Sequence, residues 1–209
     1  MKTKRIILFG GTFDPIHLGH IEVARASQIK LQAQEVIFIP ANRSPHKHTD
    51  AVASPKDRLN MIACSIKNDS EFTVSSFEIN RPQPSYTLDT VKHFRSEYAD
   101  DVELCFLIGA DTICDLHKWY KIDELMNLCR LCTMYRGGLG RPNFSVLHGI
   151  FSDEIISQLE YDVIQTPLLD ISSTNIRQSL ADGNDVNMFL APEVMSYIKE
   201  HKLYTSAPN

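Results

Sequence analysis

The chain has 209 residues, 43% of them hydrophobic and 22% charged, a composition typical of a soluble globular protein. Its formal net charge of −5 gives no support for a broad nucleic-acid-binding surface, so any site for phosphate should be local. No stretch is long enough to span a bilayer, and the amino terminus lacks the apolar core of a signal peptide. We therefore expect a cytoplasmic protein with neither nucleic acid nor membrane as partner.

The first predicted elements enclose a candidate anion site. The apolar run Ile6–Phe9 predicts a buried strand of a parallel sheet, and the apolar spacing over Leu18–Leu31 predicts a helix. Gly10–Gly11 lies at the turn between them, where the backbone can approach a ligand closely. His17 and His20 stand at or near the helix start, where N–H groups and the helix dipole favour anions. The segment predicts a phosphate site.

Two other interpretations of these histidines remain open. His17 and His20 could bind a metal ion, but neither a nearby Glu nor a third His is spaced to complete the ligand set. They could also be incidental residues beside a helix cap. The segment lacks the Gly-x-Gly-x-x-Gly pattern of dinucleotide sites and the Gly-Lys-Ser/Thr ending of a P-loop. We predict phosphate binding and no metal bound by the protein.

Strand-like and helix-like segments alternate along the rest of the chain. Strands are predicted over residues 36–39, 104–108, 128–135 and 161–165, and helices near 55–67, 86–97, 121–128 and 152–159. The alternation predicts an α/β fold, with a doubly wound, mostly parallel, Rossmann-like sheet. We expect one domain over residues 1–209, with a small helical part from about residue 170 that contains helices at 173–180 and 192–201.

Two loops are more polar or longer than a simple connection requires. Residues 40–55 hold Asn42, His46 and Lys47, which are either ligand-binding or part of an ordinary solvated basic loop. Residues 136–145 are rich in glycine and predict a flexible stretch. The sequence does not tell whether the 40–55 loop closes on a substrate.

The cysteines fit a reducing compartment. Their number is odd and their spacing is not that of a secreted disulfide scaffold. Cys129-x-x-Cys132 could be half of a zinc site or a redox pair, but no second pair with suitable spacing follows. Because the segment is strand-like, we expect these thiols to be structural.

A second polar cluster begins a predicted helix near the carboxyl terminus. Ser172 or Ser173 is a good helix N-cap, and Thr174 follows directly. Arg177, about one turn into the helix, adds a forked and always charged donor. A helix cap and a phosphate site use the same geometry, so the two interpretations are compatible.

Both clusters resemble known signatures. The stretch Gly11-Thr-Phe-Asp-Pro-x-His-x-Gly-His20 is similar to the signature of the nucleotidyltransferase superfamily that carries a His-x-Gly-His motif, and Ile171-Ser-Ser-Thr-x-Ile-Arg177 is similar to its second signature. The resemblance implies transfer of a nucleotidyl group from a nucleoside triphosphate to a phosphate-bearing acceptor, without a covalent intermediate. His17 and His20 would hold the triphosphate and stabilise charge in the transition state.

The middle of the chain resembles one branch of that superfamily. Segments at 40–47, 84–90, 108–111, 118–120 and 197–204 recur in bacterial nicotinate-nucleotide adenylyltransferases, so the resemblance covers essentially the full chain. It implies conversion of nicotinate mononucleotide and ATP into deamido-NAD and pyrophosphate in NAD biosynthesis, with Mg²⁺ carried by ATP.

The same resemblance implies roles for individual residues. Catalysis would use His17, His20, Lys47 and Arg177. ATP would be bound by Gly10, Gly11, Phe13, His17, His20, Gly109, Asp111, Ser172, Ser173, Thr174 and Arg177. Nicotinate mononucleotide would be bound by Thr12, Asn42, His46, Lys47, Thr87, Trp119 and Tyr120. From the residues alone, a single tryptophan is more often a core residue, and Asp111 is more simply a helix cap.

Three functional alternatives remain. A related adenylyltransferase would act on nicotinamide mononucleotide or phosphopantetheine. A non-catalytic nucleotide-sensing module would bind ATP without releasing pyrophosphate. A redox or metal protein would depend on Cys129 and Cys132. The oligomeric state and the degree of preference for nicotinate over nicotinamide mononucleotide do not follow from the sequence, and a homo-oligomer is compatible with it.

Overall fold

A six-stranded sheet organises the chain. In the computed structural model of the protein, which describes residues 4–42, 52–82, 86–136, 140–167 and 171–205, the strand order is β3-β2-β1-β4-β5-β6. The strands are β1 Lys4–Gly11, β2 Glu35–Pro40, β3 Phe72–Val74, β4 Val102–Gly109, β5 Arg130–Arg136 and β6 Ile164–Thr166. β1 pairs with β4, β4 with β5 and β5 with β6, all in parallel. The prediction of a doubly wound parallel sheet is confirmed.

Helices connect the strands. They are α1 Leu18–Leu31, α2 Pro55–Ile66, α3 Thr87–Glu97, α4 Ile122–Leu128, α5 Asp153–Tyr161, α6 Ser173–Ala181 and α7 Pro192–Glu200. Shorter 3-10 helices span Glu78–Asn80, Ala110–Lys118 and Phe144–Leu147. The two carboxy-terminal helices agree with the predicted helical part. Within the described segments, no helix combines the length and apolar character needed to cross a bilayer.

Strand order places the candidate site. The order reverses between β1 and β4, and in open sheets of this kind ligands bind outside the carboxyl ends of the strands. The central residues of β1, Ile6 to Leu8, are fully buried, as its apolar run predicted. The stretch from Gly10 to His20 follows this buried run directly, so the strand holds the start of the motif in place.

The described chain divides into two compact units. The first unit comprises Met1–Phe9, Val23–Val36 and Tyr86–Leu168, and the second comprises Gly10–Glu22, Ile37–Ser85 and Leu169–Asn209. In the first unit the core includes Leu104, Leu107 and Leu125; in the second it includes Phe38 and Met61. Three of its boundaries fall inside β1, α1 and β2. That residues 1–209 form a single domain stays a prediction.

Candidate active site

The two motif histidines lie together at the start of α1. His17 immediately precedes the helix and His20 is its third residue, so one turn of helix separates them. Their rings stack with centroids 3.7 Å apart and planes 20° from parallel. His17 is buried, with 7% of its surface exposed, and His20 is half-buried. The pair therefore presents two imidazoles side by side from one rigid element.

One hydrogen bond defines the orientation of His20. The backbone N–H of His17 donates to Nδ1 of His20 at 3.3 Å, as a side chain at this helix position does in a capping box. Since Nδ1 accepts, a neutral His20 carries its proton on Nε2, which makes Nε2 a donor. The N–H of Leu18 donates to the carbonyl of Phe189 at 2.9 Å. Two backbone donors at the helix start are thus engaged.

The glycines of the motif make room for aromatic rings. A methyl group at Gly11 would lie 2.8 Å from the Phe13 ring, and one at Gly19 would lie 3.0 Å from Nδ1 of His17. Phe13 adopts a positive φ of 51° and its ring meets His20 edge-on, with centroids 5.0 Å apart. Phe13 is buried, so its role here is to support the His20 ring.

The second motif joins the first through the start of α6. Ser173 Oγ donates to the carbonyl of Pro15 at 2.9 Å, and Arg177 Nη1 donates to the carbonyl of Asp14 at 2.7 Å. Arg177 Nη2 also reaches Thr174 Oγ1 at 3.3 Å. Ser172 occupies the predicted N-cap position, but its side chain makes no capping hydrogen bond within the described residues. Motifs about 150 residues apart in the sequence therefore form one cluster.

The chemistry of this cluster suits a polyphosphate. His17 and His20 supply imidazoles, Arg177 supplies a guanidinium, and the first turn of α6 adds the positive end of a helix dipole. The carboxylate of Asp14 is 4% exposed and already accepts hydrogen bonds from the N–H groups of Val52 and Ala53, at 2.8 and 3.1 Å. The negative charge in the cluster is therefore internally engaged, while its donors are of the kind that bind phosphate.

A buried arginine supports the cluster from below. Arg58 is fully buried on α2, and its Nη1 donates to the carbonyl of Thr12 at 2.7 Å while Nη2 donates to the carbonyl of Asn42 at 3.4 Å. Burial lowers the pKa of Arg58, and the negative charge of Asp14 opposes that shift. Arg58 therefore joins the backbone at Thr12 to the backbone at Asn42.

Sequence reasoning missed Asp14, Arg58 and Tyr204. Asp14 was within the first motif, and a carboxylate beside a predicted phosphate site is a signal that its charge must be bound by the protein itself. Arg58 and Tyr204 carried no such signal, because their partners lie 46 and 190 residues away in the chain.

The predicted acceptor residues fall in two places. Thr12 and Asn42 belong to the second unit, where Asn42 Nδ2 donates to the carbonyl of Arg81 at 3.0 Å. Thr87 is the first residue of α3, in the first unit, so its N–H lies in the turn that lacks intrahelical acceptors. His46 and Lys47 lie outside the described residues.

Trp119 and Tyr120 follow the 3-10 helix Ala110–Lys118 in the first unit. Trp119 is half-buried, and 48% of Tyr120 is exposed. The Tyr120 ring lies 4.6 Å from that of Tyr86, tilted by 30°, and Lys121 Nζ lies 5.5 Å from the Tyr120 centroid. This pair of rings is an additional aromatic surface that the sequence analysis did not anticipate.

Gly109 and Asp111 are adjacent at the end of β4. A methyl group at Gly109 would clash with Asp111 Oδ1, so the carboxylate folds back over the glycine. Asp111 lies in the first turn of the 3-10 helix, while the cap position itself belongs to Gly109. The simple interpretation of Asp111 as the cap residue is therefore wrong.

The cysteine pair has the character of a structural element. Cys129 ends α4 and Cys132 lies in β5, and both are buried. Burial raises the pKa of the Cys129 thiol, which disfavours the reactive thiolate.

Comparisons with known proteins agree with this geometry. A family model described as cytidylyltransferase-like matches residues 8–179. The chain is 35% identical over 204 residues to a probable nicotinate-nucleotide adenylyltransferase of Clostridium tetani, covering 96% of this chain and 99% of the relative. It is 36% identical over 216 residues to a protein of the same description from Pseudomonas fluorescens, covering 99% of each.

Two solved structures share the fold. Plasmodium falciparum nicotinic acid mononucleotide adenylyltransferase complexed with NaAD aligns with a TM-score of 0.69 at 21% identity, over 96% of this chain and 97% of that one. A putative nicotinate-nucleotide adenylyltransferase from Vibrio parahaemolyticus aligns with a TM-score of 0.66 at 20% identity, over 94% of this chain and 99% of that one.

Proposed function

This chain belongs to the nicotinate-nucleotide adenylyltransferases within the cytidylyltransferase-like family, and we propose that it transfers the adenylyl group of ATP to nicotinate mononucleotide, forming deamido-NAD and pyrophosphate. One observation carries the proposal for the site: Ser173 and Arg177 of the second motif bond directly to Pro15 and Asp14 of the first. The union of the two motifs supplies imidazole, guanidinium and helix-end donors for one triphosphate.

The reaction is a direct in-line displacement. An oxygen of the acceptor's 5′-phosphate attacks the α-phosphorus of ATP, a new P–O bond forms, and the bond to the bridging oxygen breaks so that pyrophosphate leaves. The attacking phosphate is already ionised at neutral pH, so no general base is required. Catalysis then depends on alignment and on neutralising charge.

Each group of the cluster has a place in that reaction. His17 and His20 contact oxygens of the α- and β-phosphates, where Nε2 of His20 is a donor because Nδ1 is occupied. Arg177 and the amides of Ser173 and Thr174 hold the departing pyrophosphate, with Lys47 from the 40–55 loop as a further cation. The remaining predicted ATP contacts are Gly10, Gly11, Phe13, Gly109, Asp111 and Ser172.

The metal requirement is met on the substrate. Mg²⁺ prefers oxygen ligands and keeps several waters, so it would be held by the triphosphate and water without a set of protein ligands. The buried carboxylate of the cluster, Asp14, is taken up by hydrogen bonds from the protein, so the residues present fit a magnesium ion that enters with ATP. When bound, the ion would neutralise phosphate charge.

The acceptor is recognised by its flat ring and its carboxylate. Trp119 would stack on the pyridine ring, and the backbone N–H groups of Thr87 and Tyr120 would bind the carboxylate. Thr12, Asn42 and His46 would contact the rest of the mononucleotide. An amide in place of the carboxylate would lose the charge-assisted bonds, so nicotinate mononucleotide should be preferred over nicotinamide mononucleotide.

The test is a side-by-side assay of pyrophosphate release from ATP with nicotinate mononucleotide, nicotinamide mononucleotide and phosphopantetheine. We expect the fastest release with nicotinate mononucleotide and a product that chromatographs as deamido-NAD. Faster turnover with either other acceptor would contradict the assigned substrate, and ATP binding without pyrophosphate release would indicate a sensing module.

A histidine series then tests the mechanism. Removal of a donor that stabilises developing charge typically costs about 10²–10³-fold in turnover, so His20→Ala should lower kcat by that order. His20→Asn should lose less, because an amide oxygen can still accept the His17 N–H while the amide N–H₂ donates. The control is His148→Ala, which removes an exposed histidine of the first unit and should leave kcat unchanged. Near-normal turnover of His20→Ala would refute the role of this histidine.

A further inference from the structure

The last described turn of the chain reaches the first motif. Tyr204 is 8% exposed although it lies near the carboxyl end, and it adopts a positive φ of 60°. Its hydroxyl donates to Oδ1 of Asp14 at 2.6 Å, across 190 residues of sequence. A left-handed backbone is uncommon in a tyrosine, so contacts with the rest of the protein must hold this turn in its conformation.

Tyr204 completes the set of donors around a buried carboxylate. Besides the tyrosine hydroxyl, Asp14 accepts the N–H of Ala53 on Oδ1 at 3.1 Å and the N–H of Val52 on Oδ2 at 2.8 Å. A buried carboxylate is costly unless its oxygens are hydrogen-bonded, and the tyrosine is the side-chain donor among these three. Burial and the bond to Asp14 raise the pKa of Tyr204, so the hydroxyl stays protonated and remains a donor.

Asp14 is in turn the attachment point of the second motif. Arg177 Nη1 binds the Asp14 carbonyl at 2.7 Å and lies 3.9 Å from Oδ2, while Ser173 binds the next carbonyl, that of Pro15. A shift of Asp14 would therefore move the guanidinium and the start of α6 away from the histidines. Tyr204 would act on these groups through Asp14, the residue that its hydroxyl binds.

We propose that Tyr204 is a positioning residue for the triphosphate site: its hydroxyl holds Asp14 so that Arg177 and the start of α6 face His17 and His20. This inference rests on the function proposed above. It assigns to the carboxyl terminus a part in ATP binding, which neither motif contains.

The experiment compares two tyrosines of the second unit that each donate to an aspartate. Tyr204→Phe removes the hydroxyl bound to Asp14. Tyr197→Phe removes a hydroxyl on α7 that donates to Asp57 Oδ1 at 2.9 Å and accepts from Asn60 at 2.9 Å, and both partners belong to α2. Each variant loses one hydroxyl that donates to an aspartate, so the second controls for a general loss of stability.

We expect Tyr204→Phe to raise KM and Kd for ATP by roughly three- to tenfold, the range of a partly lost charge-assisted hydrogen bond, and to leave KM for nicotinate mononucleotide unchanged. Tyr197→Phe should lower the melting temperature without changing the constants for ATP. Asp14→Asn weakens the same hydrogen bond on the acceptor side and should also raise KM and Kd for ATP. It replaces Tyr204→Phe if that variant does not fold.

Unchanged ATP constants in a folded Tyr204→Phe, or equal changes in both tyrosine variants, would overturn the proposal. Titration calorimetry of ATP binding provides a readout that does not depend on turnover. If the wild-type chain binds ATP but makes no deamido-NAD, the proposed function fails, while the calorimetric comparison still decides the role of Tyr204.

Discussion

Single side chains in the interior of the second unit decide where the backbone of the site runs. Arg58 is the clearest case, since its fully buried guanidinium bridges the carbonyls of Thr12 and Asn42. These carbonyls belong to residues 46 and 16 positions away from Arg58, so the two hydrogen bonds join segments that are separate in the sequence. Arg58 thus links two backbone segments in the interior, and its effect on activity comes through those segments.

Replacing Arg58 should destabilise the fold. Arg58→Met keeps the apolar stem but removes two part-buried hydrogen bonds to carbonyls, and a hydrogen bond from a charged donor contributes about 1.5–3 kcal/mol. We expect the free energy of unfolding to fall by at least about 2 kcal/mol, measured by urea denaturation. Arg141→Met, which removes an exposed arginine bound to the carbonyl of Glu160, should change it by less than about 0.5 kcal/mol. Equal urea midpoints for the Arg58→Met and Arg141→Met variants would refute this stabilising role of Arg58.

At this scale the sequence predicted that His17 and His20 lie together better than it predicted the groups that hold them. The histidines lie one helical turn apart, so local spacing alone predicted their proximity, which the structure confirms. The partners of Arg58 and Tyr204 depend on the path of the whole chain, and no local pattern encodes that path. Asp14 had a usable signal, because an acidic residue inside an anion-binding motif requires donors of its own.

Elements of the first unit are tied together by a chain of charges across the sheet. Arg5 of β1 lies opposite Glu103 of β4 and binds it at 2.6 Å. Arg130 of β5 binds Glu103 at 3.1 Å and also binds Asp162, which follows α5, at 2.9 Å. Burial raises the pKa of Glu103, but the hydrogen bonds from the two arginines outweigh that effect and leave the pKa below its ordinary value.

The charge chain makes stability depend on acid pH. A carboxylate whose pKa is lowered by folding stabilises the protein above its unfolded pKa, about 4.3 for glutamate, and that contribution disappears as the pH falls through the folded pKa. Glu103→Gln should therefore lower the melting temperature at pH 7, and its deficit should shrink as the pH is taken below about 4. Glu200→Gln, at an exposed position of α7, is the control. A deficit that stays constant with pH would contradict the role of Glu103.

Elements with a clear period were predictable, and short ones were not. The helices near 55–67, 86–97 and 121–128 were predicted within about two residues of their observed bounds. In the first two of them, three turns give a readable apolar stripe. β3 has three residues, too few to show alternation. The last strand was predicted at 161–165 but lies at Ile164–Thr166, since α5 continues to Tyr161 and Asp162 is buried against Arg130.

At the scale of the whole molecule, part of the boundary between the two units runs through strands of the sheet. It falls inside β1 after Phe9 and inside β2 after Val36, in each case between residues that are hydrogen-bonded members of one strand. A strand cannot lose half of its length without disturbing the rest, so this arrangement favours cooperative unfolding over independent melting. The predicted single domain over residues 1–209 leads to the same expectation.

A ligand confined to one unit provides the sharpest test of that cooperativity. Trp119, the one tryptophan in the sequence, lies in the first unit, whereas His17, His20 and Arg177 lie in the second. Tripolyphosphate lacks the nucleoside and should bind the proposed phosphate-binding residues of the second unit. At 100 times its dissociation constant a ligand of the native state adds about 2.7 kcal/mol of stability. If unfolding is cooperative, the melting midpoint reported by Trp119 fluorescence should rise together with that of the far-UV circular dichroism. A tryptophan transition that ignores the ligand while the dichroism shifts would show two domains that melt separately.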